Sequence, residues 1–230
     1  MKGKLFVVAT PIGNISDFSE RAVKTLSNVD YILCEDTRVS KKVLAHYGVA
    51  NRLVSFNART EARKIEEIIT DLISGKQVAL ISDAGTPTIS DPGVRLVNEA
   101  HKNNIPVTGV PGANAAILAL SVSGIPTNSF VFEGFLPQKK GRQKKLKELA
   151  LEKRTIALYE SPFRIEKLLK ELNEYMPQRF IAINRELTKK FEETIRGTAS
   201  ELYAKIDEIN LKGEFVIIIA PLDWETEKKH

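Results

Sequence analysis

Apolar positions follow two alternating rhythms along this chain. Short aliphatic and β-branched runs, LFVVA (5–9), YILC (31–34), RLVSF (52–56), QVALIS (77–82) and residues 106–110, predict strands. Between them, polar residues interrupt the apolar ones at helical spacing, predicting helices over 17–28, 40–48, 60–75, 92–103 and 113–122. In 60–75, Ile65, Ile68, Ile69, Leu72 and Ile73 share one face, and a glycine closes the segment. Asp17 with Glu20 has capping-box spacing, and Asp91 before Pro92 reads as an N-cap followed by proline in the first turn. Strand–helix alternation of this kind predicts an α/β fold with a mainly parallel sheet and helices on both of its faces.

The pattern changes after SGIPTNS (123–129), where Gly, Pro, Asn and Ser cluster as in a linker. This predicts an N-terminal domain over 1–122, a C-terminal α/β domain over 130–221 and a tail over 222–230. Strands are predicted at 130–135, 154–159, 179–184, 193–197 and 214–220, with helices at 141–151, 162–175 and 198–208. Thr198 with Glu201 is a second capping box. With more strands per helix, this half predicts a mixed sheet. The charged WETEKKH end is expected to fray.

Composition narrows the classes. Hydrophobic residues at 43% are enough for a substantial core. The net charge of +5 is too mild to imply a polyanionic partner by itself, so the placement of the cations matters more. A single cysteine, Cys34, rules out an intrachain disulfide and is expected to fill core space. His46, His101 and His230 are far apart in sequence, with no paired-ligand spacing, so no metal site is expected. The N-terminal apolar run, Leu5–Ala9, is too short for a secretory signal, and no run approaches membrane-spanning length. The expectation is a soluble cytoplasmic protein.

Chemistry concentrates in loops after the strands. In LISDAGTPTISDPG (80–93) an apolar strand gives way to a loop stiffened by two prolines and opened by two glycines. The carboxyl end of a parallel strand is where open α/β sheets bind ligands. This loop has no Lys, Arg or His, so it suits a neutral or cationic ligand better than a phosphate. ATPIGN (9–14) permits close backbone approach through Pro11 and Gly13 but is not a dinucleotide fingerprint. In GVPGANAAILAL (109–120), Asn114, Ala115 and Ala116 open a helix with small side chains, a feature equally suited to tight helix–sheet packing. KGEFVIIIAP (212–221) sets Glu214 before the last strand, and no P-loop motif occurs.

Three charged groups also follow strands: Glu35, Asp36 and Arg38; Glu160, Ser161 and Arg164; and Arg185, Glu186 and Lys189. Opposite charges this close commonly pair with one another, but here they fall where a cleft would lie. In FLPQKKGRQKKLKEL (135–149), Lys139, Lys140, Arg142, Lys144, Lys145 and Lys147 fall within nine positions with no acid among them. That run is either a solvated face or a contact to phosphates. Pro137 and Gly141 suggest a mobile arm.

Taken together, VATPIGN, EDTR, ALISDAGTPTISDPG, VPGAN, FEGFLPQKKGR, YESPFR and RELTKKFEE resemble, in content and order, the ribosomal RNA small-subunit methyltransferase I family. That family lies within the tetrapyrrole (corrin/porphyrin) methylase superfamily, and the resemblance covers about residues 4–221. It implies a two-domain α/β enzyme, a homodimer, with S-adenosylmethionine between the domains. The implied reaction is methylation of a cytidine ribose 2′-hydroxyl in the decoding region of small-subunit ribosomal RNA. Carried over by position, cofactor contacts fall on Pro11, Ile12, Gly13, Asp83, Gly85, Thr86, Pro87, Ile89, Asn114 and Ala115, with Tyr159 and Glu214 from the second domain. The chain departs from the family where SFNARTEA (55–62) lacks a histidine, at Phe163 in place of His, and at Ala113–Asn114 in place of Pro-Ser. Those histidines are then not essential to the activity.

Transfer to a ribose hydroxyl needs a proton acceptor and benefits from a cation near the developing alkoxide. Glu35 or Glu186 fits the first role, and Arg38, Arg185 or Lys189 the second. The Arg185–Glu186–Lys189 set is preferred because it offers both kinds of group within one turn. Lys139, Lys140, Arg142, Lys144, Lys145 and Arg164 are the expected RNA contacts. Two rival readings are a small-molecule, tetrapyrrole-type methylase, which has no use for the basic run, and a non-catalytic ribosome-assembly factor, which would bind no S-adenosylmethionine.

Overall fold

The computed structural model describes residues 1–224, and the chain divides into two compact units, one ending at Asn114 and the other beginning at Ala115. In the first unit five strands, β1 (Lys4–Val8), β2 (Tyr31–Cys34), β3 (Leu53–Ser55), β4 (Gln77–Leu80) and β5 (Val107–Val110), pair in the order β3-β2-β4-β1-β5, all parallel. Four helices connect them: α1 (Glu20–Ser27), α2 (Thr37–His46), α3 (Glu61–Ile73) and α4 (Val94–Lys102). Alternate strand residues feed two cores. Leu5, Leu33, Val78 and Leu80 meet Ile68 and Leu72 of α3 and Leu96 of α4 on one face. Val8, Ile32, Cys34 and Ala79 meet Ala22 and Leu26 of α1 and Leu44 of α2 on the other. The strands therefore read as continuous apolar runs, as expected of a sheet covered on both sides.

This wiring positions a site. β1 and β4 are neighbours, yet the chain leaves β1 toward α1 on one face and leaves β4 toward α4 on the opposite face. Their carboxyl ends form the topological switch point of the sheet, the usual ligand crevice of open α/β folds.

Several helix starts differ from the sequence expectation, in α1 and α2 because another side chain satisfies the first-turn amides. α1 begins at Glu20, where Ser19 accepts the Ala22 N–H at 3.1 Å, and residues 15–17 form a separate 3-10 turn capped by Asn14. α2 begins at Thr37 because Asp36 accepts the Arg38 N–H at 2.8 Å. Asp91 is not the cap of α4. Gly93 holds that position at φ +125°, and a side chain there would meet Leu80 Cδ2 at 2.5 Å.

The second unit comprises α5 (Ala115–Ser123), β6 (Phe130–Phe135), α6 (Arg142–Ala150), β7 (Thr155–Glu160), α7 (Ile165–Tyr175), β8 (Phe180–Arg185), β9 (Glu193–Thr198), α8 (Ala199–Ala204) and β10 (Phe215–Ile219). Its sheet order is β6-β7-β10-β8-β9, with β6 and β7 parallel and the other pairs antiparallel. α5 packs on β7, β8, β9 and β10, so it belongs to this unit rather than ending the first, as the expected boundary at 122 had it. The Thr198–Glu201 capping box is complete. Ile156, Leu158, Ile181, Ile183, Ile217 and Ile219 pack with Leu146, Leu168, Leu172 and Leu202 into one core. Burying each such side chain contributes about 1.5–3 kcal/mol.

β7 and β8 each run antiparallel to β10, and β6 runs parallel to β7. The carboxyl ends of β6, β7 and β8 therefore share one edge with the start of β10. In β6 the register slips between Phe132 and Gly134, a bulge. Beyond the last strand, Trp224 donates its N–H to Pro221 and packs edge-on against Phe180 at 5.3 Å, so the start of the expected frayed tail is packed. The rest of that tail, 225–230, lies outside the described residues. Among the described residues, no helix is long and apolar enough to cross a membrane, and no group of three His, Cys, Asp or Glu could hold a metal ion.

Candidate functional site

At the switch point the loops after β1 and β4 are stitched together. Thr10 N–H donates to Gly85 O at 2.9 Å and Gly85 N–H returns to Thr10 O at 3.1 Å. The Thr10 hydroxyl donates to Ser82 O at 3.1 Å, and the Ser82 hydroxyl to Gly85 O at 3.1 Å. The loop after β5 joins through Thr86 Oγ1, which donates to Ala113 O at 3.0 Å. Gly85 sits at φ +87°, where an added Cβ would press on Ile12 Cγ2 at 3.3 Å. Thr88 at φ +73° and Ser90 at φ +64° are held in left-handed backbone, a strain of about 1–3 kcal/mol each that ordinary turns avoid. Pro11, Ile12, Asp83, Gly85, Thr86 and Pro87 are buried or half-buried on this edge, Gly13 and Ile89 are exposed there, and half-buried Asn114 ends the unit.

The charge of this edge is negative. Residues 9–14 and 81–93 hold no Lys, Arg or His. Asp36 is committed to Arg38, whose guanidinium lies 2.6 and 3.0 Å from its two oxygens and holds its pKa down to about 2. The Asp36 N–H donates to Asp83 Oδ1 at 3.1 Å. Glu35 is half-buried, and burial, reinforced by the charges of Asp83 and Asp36, raises its pKa. Asp91 is pushed up to about 6 by burial first and then by Glu35, against a hydrogen bond from Ser82. Carboxylates held in one place at this cost suit a cationic guest. Arg38, expected near the reacting oxygen, is instead the partner of the α2 cap.

In the second unit, Tyr159 is the penultimate residue of β7, and its hydroxyl oxygen accepts the Ala116 N–H at 3.3 Å. It thereby serves one of the first-turn amides of α5, next to Ala115. Its ring meets Phe132 at 5.1 Å and Phe135 at 5.6 Å, both edge-on. Lys189 Nζ lies 2.9 Å from both Glu186 Oε1 and Glu214 Oε2, and Glu186 Oε1 also accepts the Glu214 N–H at 2.9 Å. Burial pushes Glu186 upward, but the bonds from Lys189 and the Glu214 amide, with the Lys189 and Arg185 charges, outweigh it and leave the carboxyl below its ordinary value.

In the preferred catalytic set each charged group is engaged by the protein itself. Arg185 is buried, with Nε donating to Lys212 O at 2.8 Å and Nη1 to Phe191 O at 2.8 Å, so it pins two loops and is not presented to a substrate. Glu186 is a weakened base whose Oε1 is already shared by two donors. Glu35 is the more basic carboxylate of the two candidates.

The basic run is corrected as well. Arg142 is 3% exposed and is no phosphate ligand. Its Nε donates to both Glu171 oxygens at 3.0 and 2.8 Å, and Nη1 to Pro137 O at 3.1 Å. The segment is therefore an anchored turn and helix, not a mobile arm. Lys145 pairs with Glu133 at 2.7 Å. Lys139, Lys140 and Lys147 are exposed, and largely exposed Lys144 lies 3.9 Å from Glu148. Arg164 pairs with Glu160 at 2.7 Å, and its guanidinium lies over the Phe135 ring at 5.6 Å. Phe135, which no motif marks, and Phe163, notable in the sequence only as standing in place of His, are 52% and 95% exposed. The available signal at Phe163 is an aromatic residue inside a charged loop directly after a strand.

Fold and site together define a class. The chain belongs to the tetrapyrrole (corrin/porphyrin) methylase family, whose sequence pattern matches residues 4–203. Within it, the chain is similar to ribosomal RNA small subunit methyltransferase I. It is 48% identical to that protein of Halalkalibacterium halodurans over 219 residues, 95% of this chain and 76% of the relative. It is 44% identical to that of Thermotoga maritima, covering 95% of this chain and 98% of the relative. The crystal structure of uroporphyrin-III C-methyl transferase from Thermus thermophilus complexed with S-adenyl homocysteine shares the fold, with TM-score 0.64, 17% identity, and 96% and 98% of the two chains covered.

Proposed function

We propose that this protein is an S-adenosylmethionine-dependent methyltransferase of small-subunit ribosomal RNA, and that its target is the ribose 2′-hydroxyl of a cytidine in the decoding region. The reading rests above all on the 48% identity to ribosomal RNA small subunit methyltransferase I along 95% of the chain. The switch-point edge of the first unit supports it. Pro11, Ile12, Gly13, Asp83, Gly85, Thr86, Pro87, Ile89 and Asn114 would hold the cofactor there, in a cradle of small residues and carboxylates without a competing cation. When bound, S-adenosylmethionine supplies a methyl group on a positively charged sulfur that leaves as a neutral thioether.

The residues of the chain then have separate tasks. Thr10, Ser82, Gly85 and Thr86 fix the loops relative to one another, and such positioning contributes on the order of 7–11 kcal/mol in favourable cases. Glu35 accepts the hydroxyl proton as the new O–C bond forms. Lys139, Lys140 and Lys144 bind phosphates of the RNA. The protein works as a homodimer in the cytoplasm.

The test is a methylation assay on purified small subunits, beside calorimetry with S-adenosylmethionine. The expected result is cofactor binding, and one cytidine whose 3′ linkage resists alkaline hydrolysis because its 2′-hydroxyl is capped. Absence of cofactor binding, or methylation of a porphyrinogen with the subunits unlabelled, would overturn it.

A further inference from the structure

We propose that the carboxyl edge of β6 and β7 is a nucleobase-stacking subsite for single-stranded RNA, formed by Phe135, Arg164 and Phe163 and tied to the Lys139–Lys140 turn through Glu160. It deepens the methyltransferase reading and rests on it.

Phe135 closes β6 with half its surface in solvent, and Phe163 in the turn after β7 is 95% exposed. Isolated exposed apolar side chains are ordinary, but these two aromatics are set among cations. The Arg164 guanidinium lies over the Phe135 ring at 5.6 Å, and Tyr159 holds that ring from its edge at 5.6 Å. A planar cation on a fixed aromatic ring offers what a free base stacks on.

The two loops are also joined underneath. Glu160 is buried, with Oε1 2.7 Å from Arg164 Nη2 and accepting the Ser161 N–H at 2.9 Å. Its other oxygen faces Arg142 Nη2 at 3.7 Å, and Arg142 holds Pro137 O at 3.1 Å, just before the exposed lysines. Glu160 thus bonds the aromatic turn directly and faces the arginine of the basic turn as a buried opposite charge without a hydrogen bond. Rings for bases beside ammonium groups for phosphates are the general grip on single strands, and a duplex keeps its bases stacked out of reach. The flanking positive charge favours a polyanion over an apolar protein surface.

Because Phe163 is almost fully exposed, its replacement does not disturb the core. The experiment measures binding of the full-length protein and its F163A, F163Y and F163L variants to three probes: a short cytidine-containing oligoribonucleotide, the same strand with one abasic position, and a duplex. In F163A the single-strand affinity should fall about 5- to 150-fold, the range of one base–aromatic stack. F163Y should bind like the parent, F163L like F163A, and F163A should lose the parent's preference for the intact strand over the abasic one. Equal binding by parent and F163A, an equal fall on the abasic strand, or a change only in oligomeric state would overturn the subsite. A parent protein that binds no single strand yet methylates small subunits would overturn the subsite alone. A parent that does neither would overturn the methyltransferase reading with it.

Discussion

Asp91 and Glu35 are two carboxyl groups of the first unit whose surroundings raise their pKa. Asp91 is pushed up to about 6 by burial and by Glu35, above the roughly 3.9 of an unfolded aspartate. The folded protein thus binds more protons than the unfolded chain between those values, and stability falls as pH rises through that window, then levels above it. Asp91→Asn should therefore leave stability near the parent's below pH 4 and raise it at pH 7.5 by about 1–2 kcal/mol, discounted for partial exposure. Urea unfolding of both proteins at the two pH values checks this. Glu35→Gln removes the proposed proton acceptor while keeping its shape. It should lower kcat on the order of a hundredfold or more, with S-adenosylmethionine affinity close to the parent's by calorimetry. An unchanged kcat would move the base elsewhere.

Among the elements, α6 separates what periodicity discloses from what it hides. Its cations were visible as a run, but nothing in the run distinguished Arg142, buried on Glu171, from Lys139 and Lys140 in solvent. Only the placement of acids distant in sequence, Glu160 and Glu171, decides that. Replacing Lys139, Lys140 and Lys144 with Ala should reduce the salt slope of single-stranded RNA binding by up to about 2 in log–log units, since each phosphate contact accounts for about 0.7. Titrations at several salt concentrations measure it. Strand positions were legible because buried parallel strands must be apolar throughout, as in Tyr31–Cys34. Helix starts were less so, because Ser19 and Asp36 compete with other plausible caps nearby.

For the whole molecule, the α/β class with one parallel and one mixed sheet was readable from strand–helix alternation and from its change after residue 129. The unit boundary was not. The turn-rich segment 123–129 marks a break in pattern, whereas the division follows packing, which commits α5 to the sheet that succeeds it. The loops after β1 and β4 stood out through prolines, glycines and missing cations. In the Arg185–Glu186–Lys189 set, pairing inside a corner looks, in one dimension, the same as a base beside a cation.

The bulge in β6 has its own outcome. Phe132 and Phe135 lie an odd number of positions apart, which in a regular strand sends them to opposite sides, yet both rings touch Tyr159. The extra residue resets the phase of the strand: the same sequence paired without the bulge would set Gly134 opposite Tyr159 and turn Phe135 to the other face of the sheet.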